Sequence, residues 1–206
     1  MRNLLLPVLA ALLAVPAAAQ AEDVSTFRIV PQVGYRVGGS LEDADTGAGR
    51  DLQDAASFGL ALELRYGDEN RWLQLWYSRQ PTAVDASDAR FDVDVDYIHV
   101  GGTAPINDTG KVQSYVSAGI GATRFSPSGE GLVSDTRFSG SLGLGVMVPF
   151  SERVALRVEA RGYLTLVDTD TSFFCRTDDG DGRCAIVASG SSLFQAEVFA
   201  GIAVGF

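Results

Sequence analysis

The sequence predicts an all-β protein: an eight-stranded antiparallel up-and-down barrel that crosses a membrane, with long extracellular loops and short periplasmic turns. Three observations carry that prediction. The last strand runs to the last residue, Phe206, with Phe194, Ala196, Val198, Ala200, Ile202 and Val204 on the same apolar row. In strand after strand one face is free of charge while the other bears Arg, Glu or Asp. Long polar connections alternate with short turns, which gathers every long loop at one end of an even-stranded meander.

The chain begins with a leader. Met1-Arg2-Asn3 carries one positive charge, Leu4 to Val15 is apolar, and Ala17-x-Ala19 and Ala19-x-Ala21 both fit a cleavage site. Residues 1–21 therefore read as a secretory signal peptide, cut after Ala19 or Ala21. The apolar run falls short of the ~20 residues that a spanning helix needs. No later stretch reaches that length without charges, so a membrane-resident mature chain must cross with strands. Residues 22–206 are enough for one domain.

The eight strands follow in order. The first, Thr26 to Gly38, sets Phe27, Ile29, Val33, Tyr35 and Val37 against Arg28, Gln32, Gly34 and Arg36. The second, Ser57 to Tyr66, alternates Phe58, Leu60, Leu62 and Leu64 with Gly59, Ala61, Glu63 and Arg65, and Gly67 to Asn70 turns the chain. The third, Arg71 to Arg79, places Leu73, Leu75 and Tyr77 outward and Gln74, Trp76 and Ser78 inward, but the inward Trp76 leaves this facing open, since a bulge would reverse it. The fourth, Phe91 to Ala104, sets Asp92, Asp94 and Asp96 against Phe91, Val93, Val95 and Tyr97. We assign its aspartates to the inside. The fifth, about 111 to 125, is small and rich in glycine, and its pattern leaves the facing open. The sixth, Thr136 to Val148, turns Phe138, Leu142, Leu144 and Val146 outward, with Arg137, Ser139 and Ser141 inward. The seventh, Arg153 to Val167, opposes Val154, Leu156, Val158 and Leu164 to Arg157, Glu159, Arg161 and Tyr163. The eighth ends the chain.

The rival fold is a soluble barrel, whose outer face is polar and whose inside is apolar. A charge on a lipid face costs ~2–4 kcal/mol at mid-membrane, and a repeatedly uncharged row is what that penalty produces. Tyr66, Tyr77, Phe91, Tyr97, Phe150 and Phe206 fall near strand ends, where aromatic girdles sit. Glycine, at 23 residues, is frequent inside these strands. It would weaken a soluble sheet but relieves close contacts in a barrel wall.

Composition removes other classes. With 26 acidic and 16 basic residues the formal net charge is −10, which excludes nucleic-acid binding by a basic footprint. One histidine excludes a multi-histidine metal site. No cofactor or metal is expected.

An eight-stranded barrel has an interior just wide enough for side chains to fill. Arg157, Glu159 and Arg161 should form ion pairs there, with Glu63, Arg65, Asp92, Asp94, Asp96, Arg137 and Glu197 as partners, and so plug the lumen. Unpaired charge would cost ~3–5 kcal/mol. The alternative is a narrow polar conduit. Cys175 and Cys184, nine positions apart in an exported chain, are expected to form a disulfide at the tip of the longest loop. The intervening Asp-Asp-Gly-Asp-Gly is no EF-hand, because Thr177 and Ala188 occupy the positions that need acids, and it reads as a solvated acidic loop in preference to a calcium site.

The mature chain resembles the small outer-membrane β-barrel superfamily that includes OmpA-type and opacity-type surface proteins. The resemblance rests on the signal peptide, the eight-strand pattern and a C-terminal signal, which Gly201, Val204 and Phe206 match. Phe199 departs from the polar residue that the family places seven before the end. The resemblance implies an outer-membrane location and contact with lipid and lipopolysaccharide. It also implies handling by periplasmic chaperones and the barrel-assembly machinery, and a monomeric state. The expected role is structural or surface interaction through the loops, with no ligand named by the sequence. The alternative is a narrow OmpW-like channel for small or hydrophobic solutes. A third reading, a lipid A-modifying barrel enzyme, would need His99. The sequence sets His99 on the outward row with Tyr97, near the turn end, where it is interfacial and not catalytic.

Overall fold

The computed structural model describes residues 25–43, 49–67, 70–85, 90–128, 133–167, 172–178, 181–187 and 192–206, with side chains described outside 40–50, 85–91 and 172–187. The predicted signal peptide, 1–21, lies outside the described residues. The described residues form twelve strands: β1 (Phe27–Gly38), β2 (Ser40–Asp43), β3 (Gly49–Asp51), β4 (Ala55–Tyr66), β5 (Arg71–Asp85), β6 (Arg90–Asn107), β7 (Gln113–Pro127), β8 (Asp135–Pro149), β9 (Val154–Leu166), β10 (Ser172–Asp178), β11 (Asp181–Val187) and β12 (Ser192–Gly205). Eight of them close a barrel in the order β1-β12-β9-β8-β7-β6-β5-β4, and the other four form a second sheet, β10-β11-β2-β3. Every barrel neighbour is antiparallel.

The predicted alternation sets the two faces. On β12, Leu193, Gln195, Glu197 and Phe199 are buried, while Phe194, Val198 and Ile202 are exposed. On β8, Ser139 and Ser141 are buried, while Phe138, Leu142 and Leu144 are exposed. An interior of glutamate, glutamine and serine with an exterior of leucine and phenylalanine inverts a soluble barrel, as a lipid environment requires. The open facing of the fifth strand resolves the same way: Tyr115, Ser117, Thr123 and Phe125 are buried, and Val116 and Ile120 exposed.

One expectation is overturned. On β6 the buried row is Val93, Val95, Tyr97 and His99. Asp92, Asp94 and Asp96 therefore face outward and take no part in the interior. The reason is depth. β5 runs to Asp85, six residues past the third strand read from the sequence, and pairs there with Arg90 at the start of β6. At this far end the inside is apolar: Leu52, Val84, Val93, Val95, Phe125, Val167 and Leu193 form a buried cluster. Outside, Arg79 pairs with Asp94, and Tyr77 donates to Asp96 at 2.8 Å. Beyond the hydrocarbon layer the polarity rule reverts to that of a soluble sheet. Alternation alone cannot locate that crossover.

Three connections, at residues 67–70, 108–112 and 150–153, lie at one end, together with Ser25 and Phe206; we call this the turn end. Gly67 and Asn70 take positive φ values of 69° and 50° there, which a tight turn needs. The other four connections lie at the opposite, loop end.

The seam between β1 and β12 closes the cylinder. Its register runs Arg28↔Gly205 and Ile29↔Val204, passes over Val30 and Pro31, and resumes at Gln32↔Gly201. Gly201 is required by this approach, since a Cβ there would meet the Pro31 carbonyl oxygen at 2.5 Å. Phe206 finishes the seam: Thr26 N–H donates to its carbonyl at 2.9 Å, and its own N–H donates to Phe27 O at 2.9 Å. Its ring lies 6.3 Å from that of Phe27, and Val204 sits outside, half-buried. We expect Phe206→Ala to lower the yield of inserted barrel more than it lowers the unfolding midpoint of barrels already folded. The backbone bonds survive the substitution, so an equal loss in both measurements would remove any role in assembly.

Candidate functional site

The interior is built outward from β9, whose inward row reads Arg157, Glu159, Arg161, Tyr163 and Thr165. Period-two alternation makes the two arginines flank the glutamate. Arg157 Nη2 reaches Glu159 Oε2 at 2.6 Å, and Arg161 Nε reaches Glu159 Oε1 at 2.8 Å. Across the lumen, Arg157 Nη1 pairs with Glu63 on β4 at 2.5 Å. Hydroxyls and amides complete the group. Tyr115 O–H and Ser117 O–H each donate to Glu159 at 2.6 Å. Gln74 donates to Glu63 and accepts from Arg161, both at 2.8 Å. Every strong charge here meets its opposite, the condition under which buried ions are tolerated.

A second group lies toward the loop end around Glu197 on β12. It accepts from Ser57, from Tyr163 O–H at 2.5 Å and from Ser78 at 3.0 Å. Arg36 Nη2 stands 3.4 Å from it and donates to Ser78 at 2.5 Å. Aromatic rings fill the remaining section. Tyr97 stacks on Tyr163 at 4.0 Å, Trp76 lies 4.8 Å from Phe199, and Arg161 sits 4.2 Å over Trp76. Trp76 N–H donates to Tyr163 O at 3.1 Å. The off-pattern Phe199 thus has a packing role, since it faces the interior against Trp76.

The remaining predicted site residues divide. Arg157, Glu159, Arg161, Glu63 and Glu197 meet in the interior. Arg65 is half-buried on the inward row at the turn end. Arg137 lies near the loop end and pairs with Asp135 at 2.8 Å. Asp92, Asp94 and Asp96 lie outside, as described above. His99 is corrected too: it is 1 % exposed and points inward. Its Nδ1 lies 2.9 Å from Ser141 Oγ and its Nε2 2.8 Å from Ser139 Oγ. Both ring nitrogens are occupied and the ring stands edge-on to Tyr97 at 5.6 Å. The row shared with Tyr97 was read correctly and its direction was not. Arg36 was missed as an ion-pair member. Its signal was its inward row together with the pairing of the first and last strands, which sets it opposite Glu197.

Cys175 and Cys184 are register partners across β10 and β11. Their side chains lie outside the described residues. Directly opposed antiparallel residues have Cα atoms ~4.5–5.5 Å apart, within the span of a disulfide. We expect the purified protein to show a nonreducing mass two hydrogens below the dithiol form and no thiol titre. A measurable thiol in the unfolded, unreduced chain would remove the bridge. The acidic loop tip also lies outside the described side chains. Among the described residues, no cluster of His, Cys, Asp or Glu is arranged to hold a metal ion.

The outer membrane protein beta-barrel domain model matches residues 8–182. The chain belongs to this family. The family places it in the outer membrane, where the inverted polarity of its wall is stable. Among solved structures, Neisserial surface protein A is similar at 15% identity, covering 90% of this chain and 100% of that one, with a TM-score of 0.61. OprG from Pseudomonas aeruginosa is similar at 14% identity over 88% and 96% of the two chains, with a TM-score of 0.56. These likenesses concern the fold. A comparison with curated proteins finds no match.

Proposed function

We propose that this member of the family is a plugged outer-membrane barrel whose rigid wall presents its loop end for structural or surface interaction. One observation carries the reading: the lumen is filled across its middle by the two ion-paired groups and the Trp76, Tyr97, Tyr163 and Phe199 rings. A section packed in this way holds a scaffold, and binding on scaffolds concentrates in their loops. The name of Neisserial surface protein A supports a surface role. The saturated His99 supports a packing role over lipid chemistry.

The test has two arms. Purified protein in planar bilayers should give no large stable current. Deletion of residues 170–188 should leave the barrel folded and abolish surface adhesion or alter envelope integrity. A sustained current from the wild type favours the OmpW-like channel. A deletion that changes neither adhesion nor integrity removes the loop role.

A further inference from the structure

The charges inside the barrel do not cancel. Glu63, Glu159 and Glu197 are matched by Arg157, Arg161 and Arg36 in the two buried groups. Apart from Arg137, which pairs with Asp135 near the loop end, three more inward-row arginines remain among the described residues, and all three lie at the turn end: Arg28 on β1, Arg65 on β4 and Arg153 just before β9. Those strands and β12 are consecutive in the barrel, so the three come from one arc of the rim. They line a cavity of about 680 Å³ that opens toward the turns, with Glu152 as its one acidic lining residue among the described residues.

The three arginines are held differently. Arg28 forms the inner edge: Nη2 reaches Glu63 at 2.9 Å, its guanidinium lies 3.4 Å from the centre of the Trp72 ring, and its buried Nε has no hydrogen-bond partner among the described residues. Arg65 and Arg153 make no ion pair among the described residues. Three arginines that line one cavity, one of them fixed against an indole, supply the charge-assisted donors that an oxyanion accepts from. The rest of the molecule points the same way. The formal net charge is −10, so the general field repels anions, and a cationic cavity is a local exception that concentrates them.

We propose that the turn-end mouth binds a small soluble oxyanion of the phosphate or carboxylate class. Arg65 and Arg153 grip it, and the Arg28–Trp72 pair forms the floor. The source is soluble and not a lipid headgroup, because the three arginines sit on inward rows. The outward Leu64, Tyr66 and Phe206 stand between them and the bilayer.

The full chain, folded in nanodiscs of zwitterionic phosphatidylcholine, provides the test. Sodium phosphate and sodium acetate are titrated against chloride at constant ionic strength, which holds screening fixed. The reporter is the Trp72 indole N–H resonance, since that group donates to Asn70 at the mouth at 2.9 Å. The Trp76 indole, bonded to Tyr163 inside the plug, is the reference and shows that the barrel is folded. At least one of the two anions should shift Trp72 saturably and leave Trp76 unmoved. The Arg65→Gln/Arg153→Gln variant should weaken the apparent affinity at least tenfold, and the corresponding double Lys variant should retain most of it. Three outcomes would overturn the proposal: no saturable shift with either anion, equal affinity in the double Gln variant, or a Trp72 shift that appears only when phosphatidylglycerol replaces phosphatidylcholine.

Discussion

Arg157→Ala is expected to destabilise the barrel by about 3–5 kcal/mol without opening a conducting path. Arg157 is fully buried and ties its own strand, β9, to β4 and β7, meeting Glu63 at 2.5 Å, Glu159 at 2.6 Å and Tyr115 O at 2.6 Å. Its removal strips each glutamate of its shortest cationic contact and leaves a void in the belt. Glu63 keeps Arg28 and Glu159 keeps Arg161, so the barrel should weaken and still fold. Conductance should stay absent, because the Trp76–Phe199 and Tyr97–Tyr163 layers are untouched. Urea unfolding in lipid vesicles measures the first effect, and planar bilayer recording the second. The Arg157→Met/Glu159→Gln double variant should lose less than the sum of its singles, since the two residues share one network. Strict additivity would mean that the ion pairs contribute no coupling.

Leu142→Arg is expected to cost about 2–4 kcal/mol in vesicles. Leu142 is 69 % exposed on β8 and lies between Ala118 on β7 and Gly162 on β9. Its cross-strand neighbours are small and carry no charge, so a guanidinium there faces lipid without an acidic partner beside it. Phe138, four residues nearer the loop end, is also exposed. Phe138→Arg should cost less, falling toward ~0–1 kcal/mol as the interface is approached. The gradient is the informative quantity. Equal costs at the two positions, or no cost at Leu142, would contradict a wall that spans the hydrocarbon layer in this register.

Much of this wall was legible because lipid enforces a simple rule. The seventh strand, with Val154, Leu156 and Val158 set against Arg157, Glu159 and Arg161, needed only a period of two to place its charges inside. The partners of those charges were less legible. Arg36 and Glu197 are 161 positions apart and meet only because the first strand pairs with the last. Glu63 was nameable from its own strand, but its two arginines come from β1 and β9. The direction of β6 was misread for a different reason. Its Asp-Val-Asp-Val-Asp run has perfect alternation, yet nothing local says that it lies outside the hydrocarbon layer, before the strand enters it. That error moved three aspartates and His99 across the wall together, since one parity governs the whole strand. The strands β2, β3, β10 and β11 were not read at all, because turn-rich polar composition hides short strands that pair only with each other.

The interruption at Pro31 bears on how the cylinder comes apart. The register sum is the same on both sides of the gap, so a rung is missing and the strands have not slipped. A proline cannot supply the amide that the rung would use. The junction between β12 and β9, by contrast, runs unbroken from Ser192↔Leu166 to Val204↔Val154. A closed sheet has no free edge, so unravelling must create one. It will begin where the fewest bonds must break, between the first strand and the last. The line along which the wall was sealed is therefore also its tear line, and solvent deuterium should reach the amides flanking Pro31 before those on any other junction.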